Sequence, residues 1–217
     1  MGEAAGELSR GELLRKGAAG AGLVVGLAAL GPYAARAMAR PSALAPGDLN
    51  ILNYLLPFEY LQLSLYQRIL SERSYKDTNV PLNEGQRELF EELLAQEKEH
   101  VAALRAMVEE LGGKPIKPGD YAFAFVELET AFFLANEIEG YAVGAYNYVI
   151  PKLKSKKAQE LACTIVQVDA RHTAILRQES KEEPVPFAFD YGVNEQGSVI
   201  EIEKFTGPSI YQEQGIE

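Results

Sequence analysis

The chain has two histidines, and each follows a carboxylate by three positions: Glu97-x-x-His100 and Asp169-x-x-His172. Residues three apart leave the same face of a helix, so each carboxylate and its imidazole can reach one point. Asp and Glu make up 31 of 217 residues, about one in seven. Both histidines having an acidic partner at this spacing is therefore a roughly one-in-fifty coincidence before any helical face is considered. A further carboxylate lies on the helical stretch before each pair, Glu59 before Glu97 and Glu139 before Asp169. The pattern is a duplicated half: a carboxylate helix, then a carboxylate-x-x-His helix. Four carboxylates in one core are costly unless something positive neutralises them. No Lys or Arg falls on these stripes. Two divalent cations would supply the compensation. Carboxylate oxygens with two imidazoles suit iron or manganese, whereas a thiolate-rich set suits zinc or copper.

Neighbouring residues compete for these roles. Glu137 rivals Glu139, because its face (Val126, Thr130, Phe133) is also partly apolar. Glu99 is turned about 200° from Glu97 and is expected to face water. Tyr60, Tyr66, Tyr141, Tyr146 and Tyr148 crowd the same stretches. They are expected to pack in the core with their hydroxyls hydrogen-bonded. Tyr66 or Tyr146 is the candidate for supporting a ligand or giving an electron to an oxidised metal pair.

Four amphipathic stretches must position these groups. Leu52, Leu56, Glu59, Leu63, Tyr66 and Leu70 alternate in steps of four and three, one face of a helix capped by Asp48. Pro57 predicts a kink or local break within it. A second helix runs from Asn83 to Leu111 with Phe90, Leu93, Glu97, His100, Leu104 and Met107 inward, and "GGKPIKPGD" ends it. The third spans about 121–149, with Phe125, Leu128, Phe132, Ala135, Glu139, Ala142 and Tyr146 on its stripe; the fourth spans about 153–180, with Ala158, Ala162, Ile165, Asp169, His172 and Leu176. The class is all-α, a four-helix bundle. The link at 112–122 could extend to roughly 36 Å, close to the length of a helix of about 28 residues. It predicts two antiparallel hairpins joined by a long crossover between helices 2 and 3. In the C-terminal extension, 181–217, "SVIEIEKF" predicts a short strand or a segment wrapping the bundle.

Residues 1–39 differ in kind. The uncharged run 17–31 follows Arg10, Arg15 and Lys16, and "AMA" at 37–39 places small residues before a cleavage point. This predicts an export signal or membrane anchor, followed by a linker at 40–47. The protein is then extracytoplasmic, touching a membrane only through an uncleaved anchor. "SRGELLRKGAAGAG" resembles a twin-arginine signal, except that Gly11 replaces the second arginine. A net charge of −10 argues against nucleic acid as a partner. The single cysteine, Cys163, excludes an intrachain disulfide and any Cys-x-x-Cys site. Its "LACTIV" context predicts a buried, inert thiol.

"DLNILNYLLPFEYLQLSLY" (48–66), "EKEHVAALRAMVEELGGKP" (97–115), "EIEGYAVGAYNYVIPKL" (137–153) and "VDARHTAILR" (168–177) resemble the ferritin-like superfamily. The likeness is to the bacterial ferritin-like domain group related to plant desiccation-associated proteins, and covers 48 to about 180. It implies that Glu59, Glu97, His100, Glu139, Asp169 and His172 hold two iron or two manganese ions. It further implies small-molecule partners, dioxygen or peroxide, and ferroxidase, peroxidase or catalase-like chemistry in stress protection. The alternative is a non-enzymatic desiccation or stress protein with a structural or vestigial metal site. A homo-oligomer is compatible with this fold, whereas export and the long tail fit a storage cage poorly. The pattern has Glu where this chain has Asp169. A side chain one methylene shorter predicts contact with one metal only, or a looser half-site.

Overall fold

The computed structural model describes residues 46–71, 82–123, 127–194 and the single residues 197, 202, 204 and 205. The export segment and residues 40–45 of the expected linker lie outside the described residues, as does Phe125. Four helices form the bundle: α1 (Pro46–Leu70), α2 (Glu84–Glu110), α3 (Leu128–Val149) and α4 (Lys156–Glu179), with a 3₁₀ turn, Ile150–Lys152, before α4. No strand occurs among the described residues. No helix among them is long and apolar enough to cross a membrane.

Local sequence explains most of the helix ends. Asn83 and Gln86 form a reciprocal capping box: the Asn83 side chain accepts from Gln86 N at 2.9 Å, and Gln86 Oε1 accepts from Asn83 N at 3.1 Å. Gly112, at φ 77°, closes α2 in the left-handed region that glycine tolerates. Three expectations are corrected. First, of the kink or break expected at Pro57, no break occurs: α1 continues as one helix through the proline, which removes one backbone donor. Leu56 and Phe58 are both buried beside it, so core packing outweighs that loss. Second, α3 starts at Leu128, not 121. Ala122 N instead donates to Phe205 O at 2.9 Å, so its backbone pairs with the C-terminal extension.

Third, Asp48 does not cap α1, which begins two residues earlier with proline in its first turn. Its buried carboxylate instead accepts from Lys154 N at 2.9 Å and Ser155 N at 2.7 Å, tying α1 to the start of α4. Asp48→Ala leaves those two donors without their charged acceptor. The expected loss is about 2 kcal/mol, read as a lower midpoint in urea unfolding with unchanged slope.

The predicted crossover is present. Asn53 holds its beginning, donating to Lys114 O at 3.2 Å and accepting from Ile116 N at 3.0 Å. Tyr60 Oη donates to Ile116 O at 3.0 Å and accepts from Arg105 Nη1 at 2.8 Å. Further along, Tyr121 Oη donates to Pro57 O at 3.4 Å. Residues 119–123 then share a shallow cleft with Ser64 and Arg68. The crossover thus runs alongside α1 between Asn53 and the cleft at Arg68, positions roughly 22 Å apart at the helical rise. Accordingly α1 packs on α2 and α3 on α4, with α1–α3 and α2–α4 as the other principal helix contacts.

Described residues of the extension pack against the bundle. Val193 N donates to Gly144 O at 2.8 Å, and a Cβ at Gly144 would stand 2.5 Å from Val193 Cγ2. Ile202 is buried, and the Phe123 and Phe205 rings meet tilted, 5.9 Å between centroids. Within "SVIEIEKF", the described residues Ile202, Lys204 and Phe205 are helical rather than extended; the other residues of that stretch lie outside the described ones. Gly144→Val is expected to lift Val193 off α3 and speed proteolytic loss of the extension several-fold. The helix itself gains from losing a glycine, so helical content is expected to hold. Cys163 is half-buried rather than core; Ala162 and Ile165 occupy the inward face of α4.

Candidate metal centre

Each helix carries its acidic residue at mid-length on the inward stripe, where apolar neighbours exclude water. Glu59, Glu97, Glu139 and Asp169 are fully buried; His172 and His100 are 4% and 8% exposed. The structure brings all six together as two overlapping groups: Glu59, Glu97, His100 and Asp169, and Glu97, Glu139, Asp169 and His172. Within each group one ligand-type atom per residue lies within 4.8 Å of the others. Glu97 spans the two, with Oε2 3.2 Å from His100 Nδ1 and Oε1 3.0 Å from His172 Nδ1. His100 Nδ1 also faces Glu59 Oε2 and Asp169 Oδ1, each at 3.3 Å. His172 Nδ1 faces Glu139 Oε1 at 3.3 Å. Asp169, like Glu97, belongs to both groups.

Hydrogen bonding does not account for this convergence. One Nδ1–H can serve one good acceptor, yet three carboxylate oxygens surround His100 Nδ1 at nearly equal distances. Glu59 Oε2, Glu97 Oε1, both Asp169 oxygens and His172 Nδ1 are buried without a hydrogen bond. Buried polar atoms left in this way are rare and call for a partner. Oxygen donors with one imidazole per group fit a divalent cation such as iron or manganese.

The protonation pattern fits the same conclusion. Burial pushes the Glu59 carboxyl up to about 7, partly offset by His100. Burial likewise raises Asp169 well above the usual carboxylate range, and Glu139 above it. Burial opposes the charge on His172, but Glu139 and Glu97 outweigh it and bring the imidazole to about 10. His100 is also raised, by Glu97, Glu59 and Asp169 against burial. Glu97 lies between both imidazoles and falls to about 2 despite burial. The cluster therefore shares protons to limit its charge, and bound cations would displace those protons.

An outer layer holds the ligands. Tyr146 Oη on α3 donates to Glu59 Oε1 at 2.5 Å, and Tyr66 Oη on α1 donates to Glu139 Oε1. Each tyrosine lies seven residues after the glutamate of its own helix and serves that of the other. Burial raises both phenols well above their usual range, so they remain neutral donors. Two contributors are not evident in the helical pattern. Gln62 Nε2 donates to Glu139 Oε2 at 2.7 Å, and Gln96 Oε1 lies 2.8 Å from His172 Nε2. The available signal is Gln62 three residues after Glu59, on the same inward face. Glu137 stays out of the cluster, half-buried beside Tyr141. Glu99 also lies apart, but is half-buried rather than solvated.

The sequence matches the family model of the ferritin-like domain over residues 47–182. No curated protein matches the chain.

Proposed function

The chain belongs to the ferritin-like domain family, and on that premise we propose that it holds a dinuclear iron or manganese centre which oxidises metal or handles dioxygen or peroxide. The observation that carries this reading is the sharing of Glu97 and Asp169 by two four-residue groups. When bound, two metals joined by shared carboxylates supply a two-electron change to a small oxidant. The protein's part is to fix the ligands and keep the space dry. Tyr66 and Tyr146 orient Glu139 and Glu59 while retaining their protons. His100, at 8% exposure, is the ligand nearest to solvent, which favours substrates no larger than dioxygen or peroxide. The basic-then-apolar layout of residues 10–39 supports an extracytoplasmic setting; a stress-protective role is what the family resemblance implies.

Metal analysis of the untagged protein, followed by peroxide addition, tests the reading. Two iron or manganese ions per chain and a peroxide-induced absorbance change are expected. Near-complete closure of the site favours a second reading, a structural metal pair without turnover. Bound metal with no spectral response would decide for it, and no bound metal would defeat both.

A further inference from the structure

The two ligand groups are built alike but supported unequally. Glu139 has both oxygens hydrogen-bonded, by Tyr66 and Gln62. Glu59 has Tyr146 on one oxygen, and its Oε2 has no hydrogen-bond partner. His172 has its outer nitrogen 2.8 Å from Gln96 Oε1. His100 is twice as exposed as His172, 8% against 4%. The difference is already in the sequence. Three residues after Glu139, where Gln62 would have its counterpart, stands Ala142; before Asp169, in the place corresponding to Gln96, stands Val168. Both glutamines therefore serve the same half of the site.

We propose that Gln62 and Gln96 are positioning residues that make the Glu139–His172 position the tighter of two metal positions, filled before the Glu59–His100 position. The proposal rests on the metal-binding reading above. A ligand already held in its bound orientation loses less freedom when a cation arrives. Gln62 and Tyr66 clamp the plane of the Glu139 carboxylate, whereas Glu59 is held at one oxygen. Gln96 Oε1 accepts from His172 Nε2–H, which leaves Nδ1, the atom facing Glu97 and Glu139, to present its lone pair. That hydrogen bond survives loss of the Nδ1 proton, so it serves the imidazole before and after a cation binds. The less supported, more exposed Glu59–His100 position is then the exchangeable one.

The decisive experiment uses the full chain stripped of metal and supplied with half an equivalent to one equivalent of manganese(II). Crystals grown at that loading, measured for anomalous scattering, are expected to show one peak, among Glu97, Glu139, Asp169 and His172. In solution, Gln96→Leu and Gln62→Leu are each expected to weaken the first binding event about 10–100-fold and leave the second nearly unchanged. Gln96→Glu keeps an acceptor for Nε2–H and is expected to preserve the order of filling, which a merely space-filling role would not require. Equal peaks, or a first peak beside Glu59 and His100, overturn the proposal without touching the metal-binding reading. Failure of the unsubstituted chain to bind manganese or iron at all overturns that reading itself. The anomalous measurement needs no variant, so a misfolded substitution does not blunt it.

Discussion

Glu97→Ala is expected to empty both metal positions at once, whereas Glu59→Ala and Glu139→Ala each empty one. Glu97 turns one oxygen toward His100 Nδ1 and the other toward His172 Nδ1, and it belongs to both ligand groups. Its removal takes an anionic donor from each. Glu59 and Glu139 each belong to one group, so either loss leaves four donors in the other. Elemental analysis after dialysis is expected to give near zero for Glu97→Ala and about half the parent value for the other two. The metal-free variant should also be destabilised, because two buried imidazolium groups lose the one carboxylate that faces both. Stranding a buried charge typically costs about 3–5 kcal/mol, lessened here because Glu59, Asp169 and Glu139 still face the imidazoles and the histidines can shed protons. Glu97→Gln keeps the shape without the charge and separates packing from electrostatics. Full metal content in Glu97→Ala, with none in Glu59→Ala, would sink the idea of a shared ligand.

The same physics explains which features are legible in the amino-acid sequence alone. A carboxylate amid Leu and Phe on a helical stripe breaks the rule that charges face water. Glu59, Glu97, Glu139 and Asp169 therefore stand out one by one, and the histidines at i+3 complete the set. The crossover is legible from the reach of residues 112–122 against the length of a helix. Gln62 and Gln96 are not, because a neutral amide on a helix is ordinary until its partner is located. Asp48 misleads for a related reason: its partners, the amides of Lys154 and Ser155, are more than a hundred positions away. Local rules offer Asp a cap at its own helix, whereas tertiary contact gives it donors at the start of α4. The late start of α3 also comes from a distant stretch of chain, through the bond from Ala122 N to Phe205 O.

Metal-free protein is expected to be most stable on the acid side of neutrality and to weaken as pH rises through 7. Glu59 titrates at about 7 in the fold against 4.5 when free. Between those values the folded state binds the extra proton, so stability falls with rising pH. Asp169 and Glu139, both raised chiefly by burial, act in the same direction. His172, at about 10 against 6.5, contributes stability that is complete below 6.5 and lost as pH rises through 10. Glu97 alone runs the other way, its contribution present above 4.5 and lost as pH falls through 2. From about pH 5 to 8 the raised carboxyls and His172 together outweigh it, because Glu97 is ionised in both states across that window. Bound cations reverse the trend: they take the place of the displaced protons, so their stabilisation grows with pH. Thermal melts of stripped and manganese-loaded protein at pH 5, 6, 7 and 8 are expected to diverge steadily, the stripped midpoint falling while the difference widens. Parallel curves would mean that the buried carboxylates and the metal do not share one set of atoms. A proton release of at least one per chain on manganese binding at pH 6, measured in weak buffer, is the matching expectation for Glu59 and Asp169.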